Sequence, residues 1–162
     1  MKLTIKEYQE SDRKLLQSLV EQLMDFVVAT DPTKRIRRQD GYGPAATEKL
    51  CKTIKKQEGK IYFAVVNGEV AGYIAGFPTT QTKNNLLEVI PTKIGVISDL
   101  FVKKKFRNMR IGSTLIAKIE YFLKDKKCDS FWVEVFATNT FAHNYYKSHG
   151  FVDREIGMLK EL

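Results

Sequence analysis

The chain has 162 residues, of which 43% are hydrophobic, and we expect residues 1–162 to form one domain with its own core. Its two cysteines lie far apart and lack the spacing of a zinc or redox site, which argues against a disulfide framework. The N-terminus is charged and carries no long apolar run, so we expect no signal peptide, no membrane association and a cytoplasmic protein.

The first half of the chain predicts a strand, two helices and a β-hairpin. Apolar residues alternate with polar ones from Leu3, which predicts a short strand, and apolar positions three and four apart then predict a helix that ends near Ala29. Pro44 favours the start of a second helix, which Gly59 ends. KIYFAVV and EVAGYIAGF flank an Asn-Gly dipeptide at 67–68, whose tolerance of positive φ predicts a tight antiparallel turn.

The second half predicts a strand, a helix and a strand in succession. KIGVISDLFV, at Lys93–Val102, is typical of a buried strand. Apolar residues then recur at helical spacing from Ile111 to Leu123, which predicts a helix over Ser113–Lys127 before the strand-like segment SFWVEVF. Such a βαβ unit places its two strands parallel in one sheet. A helix over Thr140–Ser148 and terminal strands around Phe151–Lys160 complete a predicted mixed α/β sheet.

A basic turn at Arg107–Gly112 precedes the helix predicted over Ser113–Lys127. The formal net charge is +8, and the segment from Phe101 to Arg110 contains five basic residues and no acid. Most of the excess positive charge of the chain therefore lies in this segment. Free backbone N–H groups and the helix dipole favour an anion at a helix start. Gly112 permits close approach of a phosphate, and Ser113 offers a hydroxyl donor. The turn therefore predicts a pyrophosphate site, although helix capping beside a solvated run of charge explains the same residues.

Other nucleotide and metal motifs are missing from the sequence. There is no GxxxxGK[ST], and no GxGxxG follows a predicted strand, which argues against a P-loop enzyme and a dinucleotide-binding domain. His143 and His149 stand six residues apart outside an HExxH context, so we expect no metal site.

Two blocks of the sequence resemble the GCN5-related N-acetyltransferases (GNAT). RNMRIG, at Arg107–Gly112, is similar to the family's acetyl-CoA pyrophosphate pattern Q/R-x-x-G-x-G/A, with Arg110 where glycine is usual. WVEVFATNTFAHNYYKSHGF resembles the family pattern W-x-E-V-x-x-x-N-x-x-A-x-x-x-Y-x-x-x-G-F. The order and spacing of the predicted elements agree with those of the family over nearly the whole chain. By this resemblance the chain is identified as a member of the GNAT family.

The resemblance implies a fold and a reaction. It implies one acyltransferase domain with a mixed, mostly antiparallel sheet of six to seven strands, helices on both faces, and parallel fourth and fifth strands that splay apart. The implied reaction transfers the acetyl group of acetyl-CoA to a primary amine of a small molecule or peptide. Homodimers are common in the family, and no nucleic acid is expected as a partner.

The resemblance also places the cofactor contacts by motif position. They fall on the backbone of the fourth strand, on the basic turn and the helix start, and on two residues of the second block. They are Leu100, Phe101, Val102, Arg107, Asn108, Met109, Arg110, Ile111, Gly112, Ser113, Asn139 and Tyr146. Asn139 has a second interpretation as the N-cap of the helix that follows it, and both interpretations stay open.

Acetyl transfer to an amine needs a proton acceptor, because an alkyl ammonium has a pKa of about 10. Glu134 shares a face of its predicted strand with Trp132 and Phe136, so we expect desolvation to raise its pKa toward that of a useful base. It corresponds to the glutamate base of the bacterial ribosomal-protein N-acetyltransferases that this block resembles. Asp99 is the second candidate for the base.

The departing thiolate and the oxyanion each need a hydrogen-bond donor. The family pattern places the acid at Tyr146, while Tyr145 continues the apolar row from Phe141 and is expected in the core. A backbone amide at Val102, unpaired where the strands splay, would serve the oxyanion. Two other classes of function remain: a basic module that binds nucleic acid or an acidic partner, and an acyl-CoA sensor without catalysis.

Overall fold

One five-stranded sheet forms the centre of the protein, with strands in sequence order. The structure is a computed structural model that describes residues 2–160. Strands β1 to β4 are antiparallel neighbours and β5 is parallel to β4. The strands are β1 (Leu3–Glu7), β2 (Lys60–Val66), β3 (Glu69–Thr80), β4 (Lys93–Val102) and β5 (Ser130–Trp132).

Helices cover both faces of the sheet, as predicted. They are α1 (Arg13–Thr30), α2 (Tyr42–Lys56), α3 (Ile111–Asp125) and α4 (Thr140–Ser148). Alternate residues of β2 enter different cores, because Phe63 packs with α1 and α2 whereas Ala64 packs with α3 and α4. No helix within residues 2–160 has the length and apolar character needed to cross a membrane.

The hairpin between β2 and β3 turns at the predicted dipeptide. Asn67 has φ 49° and Gly68 has φ 87°, so both central residues adopt the positive φ that a two-residue type I′ turn requires. The predicted bounds of β4 and α4 are confirmed residue for residue, and β4–α3–β5 is the predicted parallel unit.

The prediction of six to seven strands is wrong for the described residues, because residues 151–160 form no strand. This segment is polar at 153–155 and carries Gly157, so its apolar residues do not alternate over a strand's length. Asp153 instead makes ion pairs with His143 and Lys147 of α4, which hold the chain beside that helix.

The parallel strands β4 and β5 pair over three residues and then separate. The pairs are Ile94 with Ser130, Gly95 with Phe131 and Val96 with Trp132. The prediction of a strand through residue 136 is wrong, because residues 133–136 leave the sheet. Within the described chain, the last residues of β4 thus have no strand neighbour on this side.

A β-bulge in β4 follows the last residue that pairs with β5. Asp99 pairs with Ala75 and Ile97 pairs with Gly76, so Ser98 is an extra residue in β4. Its hydroxyl donates a hydrogen bond of 3.3 Å to the carbonyl of Ala75. A bulge changes the face to which the next side chains point, and Asp99 shares its face with Phe101 and the core under α1 and α2.

Candidate active site

A cleft of about 700 Å³ opens where β4 and β5 separate. Its walls come from α1, the end of β4, the basic turn, the start of α3, residues 133–136 and α4. The structure brings nearly all the predicted site residues together here. They are Asp99, Leu100, Phe101, Val102, Arg107, Asn108, Arg110, Ile111, Gly112, Ser113, Glu134, Asn139 and Tyr146, whereas Met109 lies outside the lining.

The free edge of β4 presents backbone groups to this cleft. The N–H of Lys103 donates to the carbonyl of Ala71 in β3, and backbone direction alternates along a strand. The N–H and C=O of Val102, and likewise those of Leu100, therefore face the cleft. The backbone of Phe101 faces β3 instead, so this residue can line the cleft only through its side chain. A ligand lying along the edge finds donors and acceptors at two positions.

Arg107 crosses this edge from the basic turn. Its Nε donates a 3.1 Å hydrogen bond to the carbonyl of Val102, and its guanidinium lies 5.2 Å from the ring centroid of Phe26 in α1. A ligand that pairs with the carbonyl of Val102 must displace this side chain. The displaced guanidinium then becomes available to a phosphate at the nearby helix start.

The start of α3 has the geometry of an anion site. Arg110 is the N-cap residue, with φ 59°, and no side chain caps the helix. The N–H groups of Ile111 and Gly112 therefore remain free for a ligand. A left-handed conformation favours glycine by roughly 1 kcal/mol, which explains the usual family residue at position 110. Arginine adopts the same backbone conformation here, so the turn keeps its geometry.

Gly112 is needed for contact between α3 and α4. A Cβ at this position would lie 2.6 Å from the hydroxyl of Tyr145 and 3.2 Å from its ring Cζ. We predict that Gly112→Ala displaces this ring and lowers the affinity for CoA about tenfold, with little change in stability because alanine favours the helix by about 1 kcal/mol. Calorimetric titration with CoA checks this, and in a Tyr145→Phe background, which lacks the clashing hydroxyl, Gly112→Ala should cause a smaller further loss of affinity. Unchanged affinity of the single variant would contradict the prediction.

The remaining basic residues of the turn are partly neutralised. Glu69, next to the β2–β3 turn, pairs with Lys105 at 2.7 Å and with Lys103 at 3.4 Å. The positive charge that lines the cleft comes from Arg107 and Arg110. The turn therefore contributes two arginines to the lining of the cleft and does not form a uniform basic surface.

Asp99 is the half-buried acid of the cleft. Burial raises its pKa to about 6, which the neighbouring Tyr73 hydroxyl partly opposes. That hydroxyl is fully buried, faces the carboxylate and makes no hydrogen bond of good geometry within the described chain. Tyr42 and Tyr146 also lie close enough for the Asp99 charge to raise their pKa values. The sequence prediction ranked Asp99 second and missed Tyr42 and Tyr73 as its neighbours.

Glu134 also lines the cleft, but in different surroundings. Because the chain leaves the sheet after Trp132, this residue is not in a strand, and its side chain is exposed. The predicted burial of Glu134 among aromatic side chains is therefore wrong. Phe136, expected on the same buried face, is 38% exposed.

Two residues of the second block have defined positions. Tyr146 is buried between Tyr145 and Phe151, with ring centroids 5.8 Å and 5.4 Å away, and it lines the cleft. Tyr145 packs on the core as predicted, yet its hydroxyl also reaches Ser113 in the cleft. The Asn139 side chain accepts a hydrogen bond of 3.2 Å from the N–H of Ala142, which makes it the N-cap of α4.

The sheet thus opens between two parallel strands, and the start of α3 and the carboxylate of Asp99 both line the opening. The family model described as acetyltransferase (GNAT) family matches residues 13–151. The chain therefore belongs to the GNAT family and is an acetyl-CoA-dependent acyltransferase.

Individual relatives agree with this membership. An uncharacterised N-acetyltransferase of Methanocaldococcus jannaschii is 28% identical over 127 residues, which cover 78% of this chain and 74% of the relative. An N-alpha-acetyltransferase of Sulfurisphaera tokodaii is 30% identical over 110 residues, covering 66% of this chain and 64% of that protein. The structure of AAC(6')-Iy with the bisubstrate analogue CoA-S-monomethyl-acetylneamine has a TM-score of 0.72 at 16% identity, covering 100% and 99% of the two chains.

Proposed function

We propose that this protein transfers the acetyl group of acetyl-CoA to a primary amine by direct attack, with Asp99 as the base and Tyr146 as the donor to the leaving thiolate. The observation that carries this proposal is the position of a half-buried carboxylate, that of Asp99, which lines the cleft opened between β4 and β5 and whose pKa desolvation raises to about 6. The exposed Glu134 becomes the second candidate for the base, which reverses the order expected from the sequence.

The cofactor would lie along the cleft in an extended conformation. Its pyrophosphate would accept hydrogen bonds from the free N–H groups of α3, with Arg107 and Arg110 beside it. Its pantetheine arm would pair with Leu100 and Val102, once Arg107 releases the carbonyl of Val102. Asn139 already caps α4, so a contact of its amide with the arm would use the N–H₂ group and not the capping oxygen.

Asp99 would take the proton that the amine must lose. The pKa of an alkyl ammonium, about 10, is roughly 4 units higher than that of Asp99. Proton transfer from the ammonium to Asp99 before the attack is therefore unfavourable by about 5 kcal/mol. The α-amino group of a peptide, with a pKa of about 8, reduces this cost to roughly 3 kcal/mol. The carboxylate therefore suits an α-amine, or an amine whose proton leaves as the new bond forms.

The tetrahedral intermediate carries a negative oxygen and expels a thiolate. The N–H of Val102 faces the cleft and would donate to that oxygen. Burial raises the pKa of Tyr146 well above the ordinary value, and Tyr145 and Asp99 raise it further. Because a thiol has a pKa of about 8.5, this phenol would stabilise the thiolate by a hydrogen bond without giving up its proton.

The acceptor side of the cleft is apolar. Leu23, Phe26 and Val27 of α1 form this wall, and Asp99 and Glu134 are the acids among the lining residues. Arg38 is not among the lining residues and pairs with Asp25 at 2.6 Å. We infer an acceptor with one amine next to an apolar group. A peptide N-terminus satisfies this description, and the name of the Sulfurisphaera tokodaii relative agrees with it.

The test is an assay of CoA release with a panel of acceptors. We expect peptides with an apolar N-terminal residue to be acetylated at the α-amine, which mass spectrometry locates, and to react faster than polyamines or aminoglycosides. Acetyl-CoA binding without turnover on any acceptor would favour the sensor. Salt-sensitive binding of nucleic acid without binding of CoA would favour the basic module.

A further inference from the structure

Three polar side chains that the proposed mechanism leaves unused meet at the phosphate end of the cleft. The Oγ of Ser113, in the first turn of α3, lies 3.1 Å from Nε2 of His149 and 3.4 Å from the hydroxyl of Tyr145. His149 is partly buried just after α4, and its ring centroid lies 4.5 Å from that of Tyr145. The hydroxyl next to the expected phosphate is thus shared with a titratable ring.

The contacts of His149 determine where its proton sits. Nδ1 lies 2.8 Å from the backbone carbonyl of Tyr145, and a carbonyl oxygen can only accept. The proton of a neutral ring is therefore on Nδ1, and Nε2 has only a lone pair. Ser113 must then donate its single proton to Nε2. In this state the Ser113 hydroxyl has no proton to offer a phosphate.

Protonation of His149 reverses this hydrogen bond. With a proton on each nitrogen, Nε2 donates to Oγ of Ser113, and the hydroxyl proton of Ser113 is free to turn toward the start of α3. The cation also adds positive charge beside the expected pyrophosphate.

His149 differs from His143 in its partners. Tyr145, Ser148 and Ser113 are the polar groups that contact the His149 ring within residues 2–160, and none of them carries a charge at neutral pH. His143, in contrast, pairs with Asp153. A bound anion would therefore bring negative charge to a ring whose hydrogen-bond contacts are all neutral.

We propose that His149 couples the uptake of a proton to the binding of the CoA pyrophosphate. One proton moves from solvent to Nε2 of His149, and the released Ser113 hydroxyl donates to a phosphate oxygen. This inference rests on the cofactor site of the proposed function. Because the cationic form binds the ligand more tightly, affinity rises as pH falls, and by linkage each binding event takes up at most one proton.

Calorimetric titration of the full chain tests this coupling. The probe is 3′-dephospho-CoA, because it lacks the phosphomonoester that titrates near pH 6 while its pyrophosphate charge stays constant. We expect binding to be about tenfold tighter near pH 6 than near pH 8, with proton uptake revealed by buffers of different ionisation enthalpy. His149→Gln and Ser113→Ala should each abolish the pH dependence.

His143→Gln is the matched control, since the chain has two histidines and this one lies in an exposed ion pair. Asp99→Asn is the second control, because burial raises the pKa of Asp99 to about 6, within the span of pH that the experiment covers. Both should keep the coupling. NMR titration of the two imidazole rings in the unmodified protein provides a check that needs no variant, and the ligand should move the midpoint of one ring toward higher pH.

The outcomes separate the two proposals. Equal affinity at both pH values, or proton uptake that persists in His149→Gln, would overturn the role of His149. Failure of both CoA and 3′-dephospho-CoA to bind at either pH would overturn the proposed function itself.

Discussion

Asp99→Asn should lower kcat about 10²- to 10³-fold and remove the acidic limb of the pH profile. In the wild type, kcat/KM should rise with pH through about 6, because the carboxylate must be ionised to accept a proton and burial raises its pKa to that value. The asparagine side chain has nearly the same shape but cannot accept the proton. Steady-state kinetics over a range of pH provide the measurement.

The same variant should be more stable than the wild type at neutral pH. Folding raises the pKa of Asp99 from 3.8 to about 6, so its contribution to stability is complete below the unfolded value and is lost as pH rises through the folded one. Near neutral pH the ionised carboxylate costs up to about 3 kcal/mol, which asparagine avoids. Chemical unfolding near pH 7.5 measures this difference. A large loss of activity together with a gain in stability identifies a functional acid.

Glu134→Gln is the matched control for the identity of the base. Its side chain is exposed, so we expect less than about a threefold change in kcat and an unchanged acidic limb. Two results together would identify Glu134 as the base, as the sequence first predicted. Glu134→Gln would lose as much activity as Asp99→Asn, and the pH profile of Asp99→Asn would keep its acidic limb.

Local sequence patterns predicted most of the fold. The Asn67-Gly68 turn and the helix at Thr140–Ser148 depend on residues that are neighbours in sequence, and each was found where it was predicted. The end of β5 at Trp132 depends on the divergence of two strands 36 residues apart, which no local period records. The terminal strands predicted for residues 151–160 did not form for a similar reason. Asp153 makes ion pairs with His143 and Lys147 of α4, and these contacts hold the segment beside that helix.

The ranking of the two acids shows how an error in the fold became an error in the site. Glu134 ranked first because a strand through residue 136 would have placed it among aromatic side chains, and that strand ends at Trp132. Asp99 lies close to Tyr42 and Tyr73, which come from α2 and β3 and have no sequence signal in common. One signal was available, because an acid inside the apolar strand KIGVISDLFV needs a compensating environment.

Tyr146→Phe should lower kcat about 10- to 100-fold and leave the affinity for acetyl-CoA nearly unchanged. Phenylalanine keeps the packing against Tyr145 and Phe151, so the cost is limited to the hydrogen bond that the hydroxyl gives the leaving thiolate. Hydrogen bonds to charged groups contribute about 1.5–3 kcal/mol, which corresponds to this range of rates. Single-turnover kinetics with acetyl-CoA and a peptide acceptor separate the chemical step from binding.

The pH dependence and a neighbouring variant decide what the Tyr146 hydroxyl does. Because the pKa of this phenol is raised above its ordinary value, it stays protonated through the whole working range, and the loss of rate should be the same at every pH below about 10. Tyr145→Phe, the matched control, should weaken CoA binding with little effect on kcat, because that hydroxyl contacts Ser113. A loss confined to high pH, or equal loss of kcat in both variants, would show that Tyr146 contributes through packing or proton transfer and not as a fixed hydrogen-bond donor.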